Sequence, residues 1–236
     1  MNRLIDFHTH VLPGIDDGST SCEESIKMLK MASRQGIHGM IATPHFYAHH
    51  DTPAHFLQQR RESLLRLQEA MSQEEDLPAI RVGAEVYYFS GISDSDILDS
   101  LVIEGTNCVL LEMPMDKWTK KMYKELEDIR LKRGLLPVIA HVDRYLSPLR
   151  THGIPQALEK LPVAVQANAN SFIRHSTRQM ALRMLRSGQI HLLGSDCHNS
   201  TSRPPNLESA LEIISHRLDV SVLDNIVAYQ QDILNF

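Results

Sequence analysis

Two stretches of this chain place metal-binding donors two residues apart: His8 and His10 in DFHTH, and Asp196 and His198 in GSDCHN. Side chains alternate along a strand, so an H-x-H or D-x-H pair on a strand presents both donors to one face. His8 and His10 can then grip a single cation. The second stretch carries a rival chemistry. Cys197 and Arg203 in SDCHNSTSRPP have the C-x5-R spacing of a loop that attacks phosphate with sulfur. Such a loop wraps phosphate with backbone amides and runs into a helix. Here no glycine lies between Cys197 and Arg203, and Pro204-Pro205 follow. A following proline disfavours the α conformation at Arg203. The spacing favours metal chemistry over sulfur.

More donors are spread along the chain: His45 in TPHF, Glu85 in GAEVYY, Glu112 in LLEMP, His141 in IAHVDRY, and Asp16 and Asp17 in GIDDGS. What brings them together must be the fold. Short apolar runs read as strands at 3–8, 39–43, 79–85, 108–113, 135–141, 162–168 and 190–196. Helical patterns separate them: one capped by an S-x-x-E box at Ser21 and Glu24 and stopped at Gly36, then 54–75, 117–133, 155–160, 176–187, 206–217 and 221–234. Strands alternating with helices imply a parallel sheet, and seven can close into a barrel. An open doubly wound sheet is the alternative. Each donor sits at the carboxyl end of a predicted strand or just beyond it, and in a barrel those ends converge on one face. No linker or repeat divides residues 1–236, which read as a single domain.

Composition narrows the function classes. The chain is 42% hydrophobic and 22% charged with net charge −5, which supports a packed core and argues against a nucleic-acid binder. Three unevenly spaced cysteines make no disulfide framework. The first ten residues carry charge and two histidines too early for a signal peptide. No apolar run approaches the roughly 20 residues of a membrane span. A cytoplasmic setting without membrane insertion is expected.

The ordered motifs DFHTHVLPGIDDGS, TPHF, GAEVYY, LLEMP, IAHVDRY, QANANS and GSDCHNSTSRPP resemble the PHP (polymerase and histidinol phosphatase) family. Within it, they resemble the bacterial protein-tyrosine phosphatases of capsule and exopolysaccharide operons. The resemblance implies a distorted (β/α)7 barrel and three divalent metals. It assigns His8, His10, Glu85 and Asp196 to the first ion. Glu85, Glu112 and His141 would hold the second, and Asp17, His45 and His198 the third, which selects Asp17 over Asp16. Val142 and Asp143 stand where the family usually has Pro and Glu, and TPHF lacks the basic residues of some relatives. The implied partner is a phosphotyrosyl protein, the tail of a bacterial tyrosine autokinase.

Charge supports this ligand set. Three divalent ions bring six positive charges, against four from Asp17, Glu85, Glu112 and Asp196. The surplus suits a phosphate, and without cations the carboxylates would repel. Mixed imidazole and carboxylate donors suit manganese, iron or zinc, with cobalt or magnesium as further candidates. A metal-bound hydroxide is the expected nucleophile. Arg144 and Asp17 are assigned catalytic roles, with Arg144 and Arg203 as guanidinium clamps on phosphate. Phe46, Tyr47, Tyr88 and Phe89 are candidates for stacking on a phosphotyrosine ring. Asn168 and Asn170 are candidates for hydrogen bonding into the site. His38, His49, His50, His55, His152, His175, His191 and His216 match no motif and read as ordinary surface or core residues. Two other functions remain: a small-molecule phosphatase such as one for histidinol phosphate, or a non-catalytic metal-binding regulatory module.

Overall fold

A computed structural model describes residues 4–146, 151 and 153–234. Every predicted strand is present, but two of them are broken. The elements run β1 (Ile5–Thr9), α1 (Cys22–Arg34), β2 (Gly39–Ala42), β3 (His45–Phe46), α2 (Pro53–Met71), β4 (Ala79–Val82) and β5 (Glu85–Tyr87). They continue with α3 (Leu98–Leu101), β6 (Cys108–Glu112), α4 (Lys120–Arg133), β7 (Leu136–Ile139), α5 (Ile154–Leu158) and β8 (Ala164–Asn168). The chain then forms α6 (Ala169–Ile173), α7 (His175–Arg186), β9 (Leu192–Gly194), α8 (Leu207–Arg217) and α9 (Val220–Leu234). Helix α6 has no counterpart in the sequence pattern; it is a short turn that extends β8 directly. His152 lies outside the described residues.

All pairings are parallel, in the orders β1-β2-β4 and β3-β5-β6-β7-β8-β9. The second predicted strand breaks at Thr43-Pro44, where proline offers no amide to the ladder. The third breaks at Gly83-Ala84, where a Cβ on Gly83 would lie 2.9 Å from Ile103 Cγ1. Hydrogen bonds from Thr43 N to Thr9 O (2.8 Å), Gly83 N to Ala42 O (2.8 Å) and Glu85 N to Pro44 O (3.0 Å) carry the ladder across both breaks. At the other edge Asp196 N donates to His8 O (2.8 Å) and His10 N to Cys197 O (2.9 Å), which joins the end of β9 to β1. The result is a distorted (β/α)7 barrel.

Ile5, Phe7, Ile41, Leu110, Val138, Ala164 and Leu192 form one strand-derived cluster, with Leu234 of α9 packed into it. This is the floor of the barrel, and burying it removes water from beneath the functional face. At its lower edge Gln230 of α9 brackets Ile5, its Nε2 donating to Ile5 O and its Oε1 accepting from Ile5 N. A second, larger core lies between strands and helices. The register of β1 shifts between Asp6 and Thr9. That irregularity re-aims the strand, and His8 and His10 both turn inward above Phe7. The predicted S-x-x-E box is half realised. Ser21 Oγ accepts from Glu24 N (3.2 Å), but the Glu24 carboxylate reaches away to accept from Ser200 N (2.6 Å). It thereby ties α1 to the loop after β9.

Candidate metal centre

The nine predicted ligands meet at the carboxyl ends of the strands. Donor atoms close enough to share a cation form four overlapping groups: His10, Asp17, His45 and His198; His8, Glu85 and His141; His8, His10 and Asp196; His45, Glu85 and Glu112. Glu85 is central. Its Oε1 lies 2.6 Å from His141 Nε2, and its Oε2 lies 3.1 Å from His8 Nε2, 3.3 Å from His10 Nε2 and 3.0 Å from His45 Nδ1. Glu85 is thus shared by two of the groups, and its two oxygens face different imidazoles. Glu112 and His141, expected on one ion, fall into separate groups, and the Arg144 guanidinium holds Glu112 in an ion pair.

The imidazoles are held from behind. His10 Nδ1 donates to Asp16 Oδ2 (2.7 Å), and His198 Nδ1 donates to the Asp196 carbonyl (3.0 Å). His141 Nδ1 lies 3.0 Å from Asn168 Nδ2 and 3.2 Å from its Oδ1, and His8 Nδ1 lies 3.4 Å from Gln166 Oε1. Each of these rings turns Nε2 inward. A partner behind the ring of this kind orients histidine on a metal. His8 Nε2 and His10 Nε2 approach to 3.2 Å. His198 Nε2 and His45 Nδ1 are buried and make no aligned hydrogen bond among the described residues, though carboxylate oxygens lie 3.4 and 3.0 Å away. Unpartnered nitrogens facing a carboxylate cluster fit divalent cations well.

Electrostatics point the same way. Burial would raise the pKa of Glu85 and Asp196, yet the surrounding imidazoles hold both well below the usual carboxylate range. Burial opposes charge on His10, yet Asp16, Asp196 and Glu85 push its pKa well above the usual imidazole value. Against burial, the His10 hydrogen bond and charge hold Asp16 at about 2. His141 and Asp196 adopt left-handed backbone angles, φ 53° and 55°. Each costs about 1–3 kcal/mol for a non-glycine residue, a strain that clusters at functional sites. Gly194 lets β9 approach closely: a Cβ there would lie 2.6 Å from His8 Cβ and 2.8 Å from Gln166 Nε2.

Asp16 and Asp17 separate by role. The Asp16 side chain is enclosed behind His10 and also accepts from His45 N (3.1 Å) and Gly18 N (3.0 Å). Asp17 is 64% exposed, with Oδ1 3.4 Å from both His45 Nε2 and His198 Nε2. Arg203 reaches back to Asp196 Oδ2 (3.1 Å) and lies 3.8 Å from Asp17 Oδ2. Both arginines expected to bind phosphate therefore border the cluster.

The sulfur loop is absent. Asn199 Oδ1 accepts from the amides of Thr201 (3.0 Å), Ser202 (2.7 Å) and Arg203 (3.0 Å), so those amides face a side chain and not an anion. Cys197 is 1% exposed within the core, and burial pushes its thiol pKa well above the ordinary value. A protonated, enclosed thiol is a poor nucleophile.

The aromatic expectations divide. Phe46 is buried against Phe56, ring centroids 5.1 Å apart, and cannot meet a substrate. The Tyr88 hydroxyl donates to Glu125, and Phe89 packs on the core. Tyr47 is at the site, 5.4 Å from the His45 ring and 5.7 Å from Tyr87. With Asp17, His45, His50 and His55 it lines an open cavity of about 510 Å³. His50 and His55, read from sequence as bland, therefore border that cavity. Sequence reading missed Gln166. Its signal was the two-residue spacing to Asn168 on a fully buried strand, which sends both amides to one face.

Residues 4–234 match the family described as capsular polysaccharide synthesis, CpsB/CapC. The chain belongs to that family. It is 30% identical over 218 residues to the tyrosine-protein phosphatase YwqE of Bacillus subtilis, covering 89% of this chain and 84% of the relative. It is 28% identical over 224 residues to the tyrosine-protein phosphatase CpsB of Streptococcus pneumoniae, covering 91% and 90%. A crystal structure from work on YwqE and CpsB, described as unique metal-dependent tyrosine phosphatases, superposes with TM-score 0.84 at 26% identity over 98% of this chain and 94% of the other. Dihydropyrimidinase from Brevibacillus agri shares the fold alone, with TM-score 0.59 at 13% identity over 98% and 70%.

Proposed function

We propose that this chain is a metal-dependent protein-tyrosine phosphatase of the cytoplasm, acting on a phosphotyrosyl protein of capsule or exopolysaccharide synthesis, the tail of a tyrosine autokinase. The observation that carries this reading is the convergence of inward-facing imidazoles on Glu85 in a CpsB/CapC chain. Three divalent ions, manganese first among them, would be held by His8, His10, Glu85 and Asp196; by Glu85, Glu112 and His141; and by Asp17, His45 and His198. Bound there, such ions supply an activated water and neutralise the phosphoryl oxygens.

The protein's own residues do the rest. Arg144 lies against Glu112 and is placed to turn its guanidinium to a phosphate entering the cluster, where a bidentate clamp fixes the phosphoryl group. Arg203 offers a second cation beside Asp17 and Asp196. Asp17 stands at the exposed edge of the cluster, where substrate enters. Tyr47 supplies the ring face for a phenol, and phenolate leaves readily without a strong proton donor.

Turnover of phosphotyrosyl peptides against histidinol phosphate tests this reading. A large preference in kcat/KM for the peptide is expected, abolished by chelation and restored by Mn²⁺. A preference for histidinol phosphate would move the function to small molecules, and inactivity on every phosphoester despite bound metal would make the chain a binding module.

A further inference from the structure

We propose that Gln166 is a positioning residue that fixes which ring nitrogen of His8 faces the metal centre, an inference that rests on the metal-dependent reading above. Gln166 is fully buried on β8, beneath the cluster. The orientation of a side-chain amide is normally ambiguous, but here two neighbours have only one possible role. The backbone N–H of His141 is a donor, and it lies 3.1 Å from Gln166 Oε1. The carboxylate of Asp196 is an acceptor, and it lies 3.1 Å from Asn168 Nδ2. Between them Gln166 Nε2 donates to Asn168 Oδ1 (3.0 Å). Reversing either amide would set oxygen against oxygen or N–H against N–H. The chain His141 N–H, Gln166, Asn168, Asp196 therefore runs in one direction, pinned at both ends.

His8 reads that direction. Its Nδ1 lies 3.4 Å from Gln166 Oε1, an oxygen that can only accept. Its Nε2 faces Glu85 Oε2, His10 Nε2 and Asp196 Oδ1 at 3.1, 3.2 and 3.8 Å, so a proton held on Nδ1 by Gln166 leaves the Nε2 lone pair free for a cation among them. Gln166 thus builds a ligand atom without touching metal or substrate. Because Asn168 continues the chain to Asp196, one amide pair aligns two neighbouring ligands, His8 and Asp196, where the end of β9 joins β1.

Gln166→Leu keeps nearly the same volume and removes the acceptor; Gln166→Glu keeps the acceptor. Both can be purified without nickel and compared with the wild type in two measurements: the ¹⁵N shifts of the His8 ring in metal-free protein, and the Kd for Mn²⁺ by competition with a chromophoric chelator. Wild type and Gln166→Glu are expected to carry the His8 proton on Nδ1. Gln166→Leu is expected to lose that signature and bind Mn²⁺ about 10–100-fold more weakly, the usual cost of removing a partner behind a ligand. A His8 proton on Nε2 in the wild type, or an unchanged tautomer and Kd in folded Gln166→Leu, would overturn the proposal. Should Gln166→Leu fail to fold, Gln166→Glu decides alone: Nδ1–H retained supports it, and Nδ1–H lost refutes it. Neither measurement involves substrate, so inactivity on phosphotyrosine would sink the phosphatase reading and leave this result standing.

Discussion

Asp16 stands behind His10, with Oδ2 2.7 Å from Nδ1, while Asp17 beside it turns outward to face His45 and His198. Adjacent carboxylates therefore serve different tasks, and their removal has different effects. Asp16→Ala frees the His10 ring and should weaken metal binding overall by about 10–100-fold. Asp17→Ala removes a donor from the outer group only, so it should lower the metal content per chain while the inner ions stay. Elemental analysis of the two variants after dialysis separates these outcomes; equal losses in both would contradict the assignment.

Cys197→Ser should retain most phosphatase activity, because Cys197 is enclosed in the core and its loop amides are taken by Asn199. A modest fall in melting temperature is expected from placing a hydroxyl there, at a cost of about 1–3 kcal/mol when unpaired. Near-complete loss of turnover in a folded variant would restore the sulfur mechanism.

Arg144→Lys is not conservative, since lysine offers a point charge in place of a planar fork. Loss of a charged, bidentate contact of about 1.5–3 kcal/mol predicts a fall of roughly 10–100-fold in kcat/KM on phosphotyrosyl peptide. Metal content should stay unchanged. Steady-state kinetics beside elemental analysis checks both statements, and full activity in the lysine variant would remove Arg144 from the reaction.

Phe46 ends β3 in the core, and Tyr47, the next residue, lines the cavity at the site. Phe46→Ala should cost about 3–5 kcal/mol of stability as a core deletion. Tyr47→Ala should leave the melting temperature nearly unchanged and raise KM for aromatic phosphoesters. Denaturant melts and kinetics on the pair decide, and the reverse pattern would place the wrong ring at the site.

How far the sequence reached depended on the kind of signal. His8, His10, Asp196 and His198 were legible because period-two spacing at a strand end leaves few alternatives. The barrel was legible because helical patterns separate most of the apolar runs; the short α3 between 79–85 and 108–113 left no such pattern. The breaks at Pro44 and Gly83 were not, since a parallel ladder can continue across them through Thr43 N and Glu85 N. Nor was the fate of Glu24, whose partner Ser200 lies far along the chain. The capping pattern is local, and the winning contact is tertiary. Gln166 was missed for the same reason: its role exists only where β8 meets β1 and β7.

Metal binding should depend on pH through His10. Burial alone would depress its pKa, but Asp16, Asp196 and Glu85 raise it well above 6.5, so the metal-free site holds a proton there at neutral pH. A cation must displace that proton. Apparent affinity should therefore weaken by about tenfold per pH unit for each proton displaced as pH falls, and level off above the raised pKa. The sign for stability is the opposite. A raised imidazole stabilises the metal-free fold fully below the unfolded value near 6.5, and that contribution is lost as pH rises through the folded pKa. Chelated protein should thus melt lower towards alkaline pH, while the Mn²⁺-loaded protein, in which the cation replaces the proton, should not. Calorimetric titration with Mn²⁺ in buffers of different ionisation enthalpy would count the protons released at pH 7. Binding without proton release would show that His10 is neutral before the metal arrives.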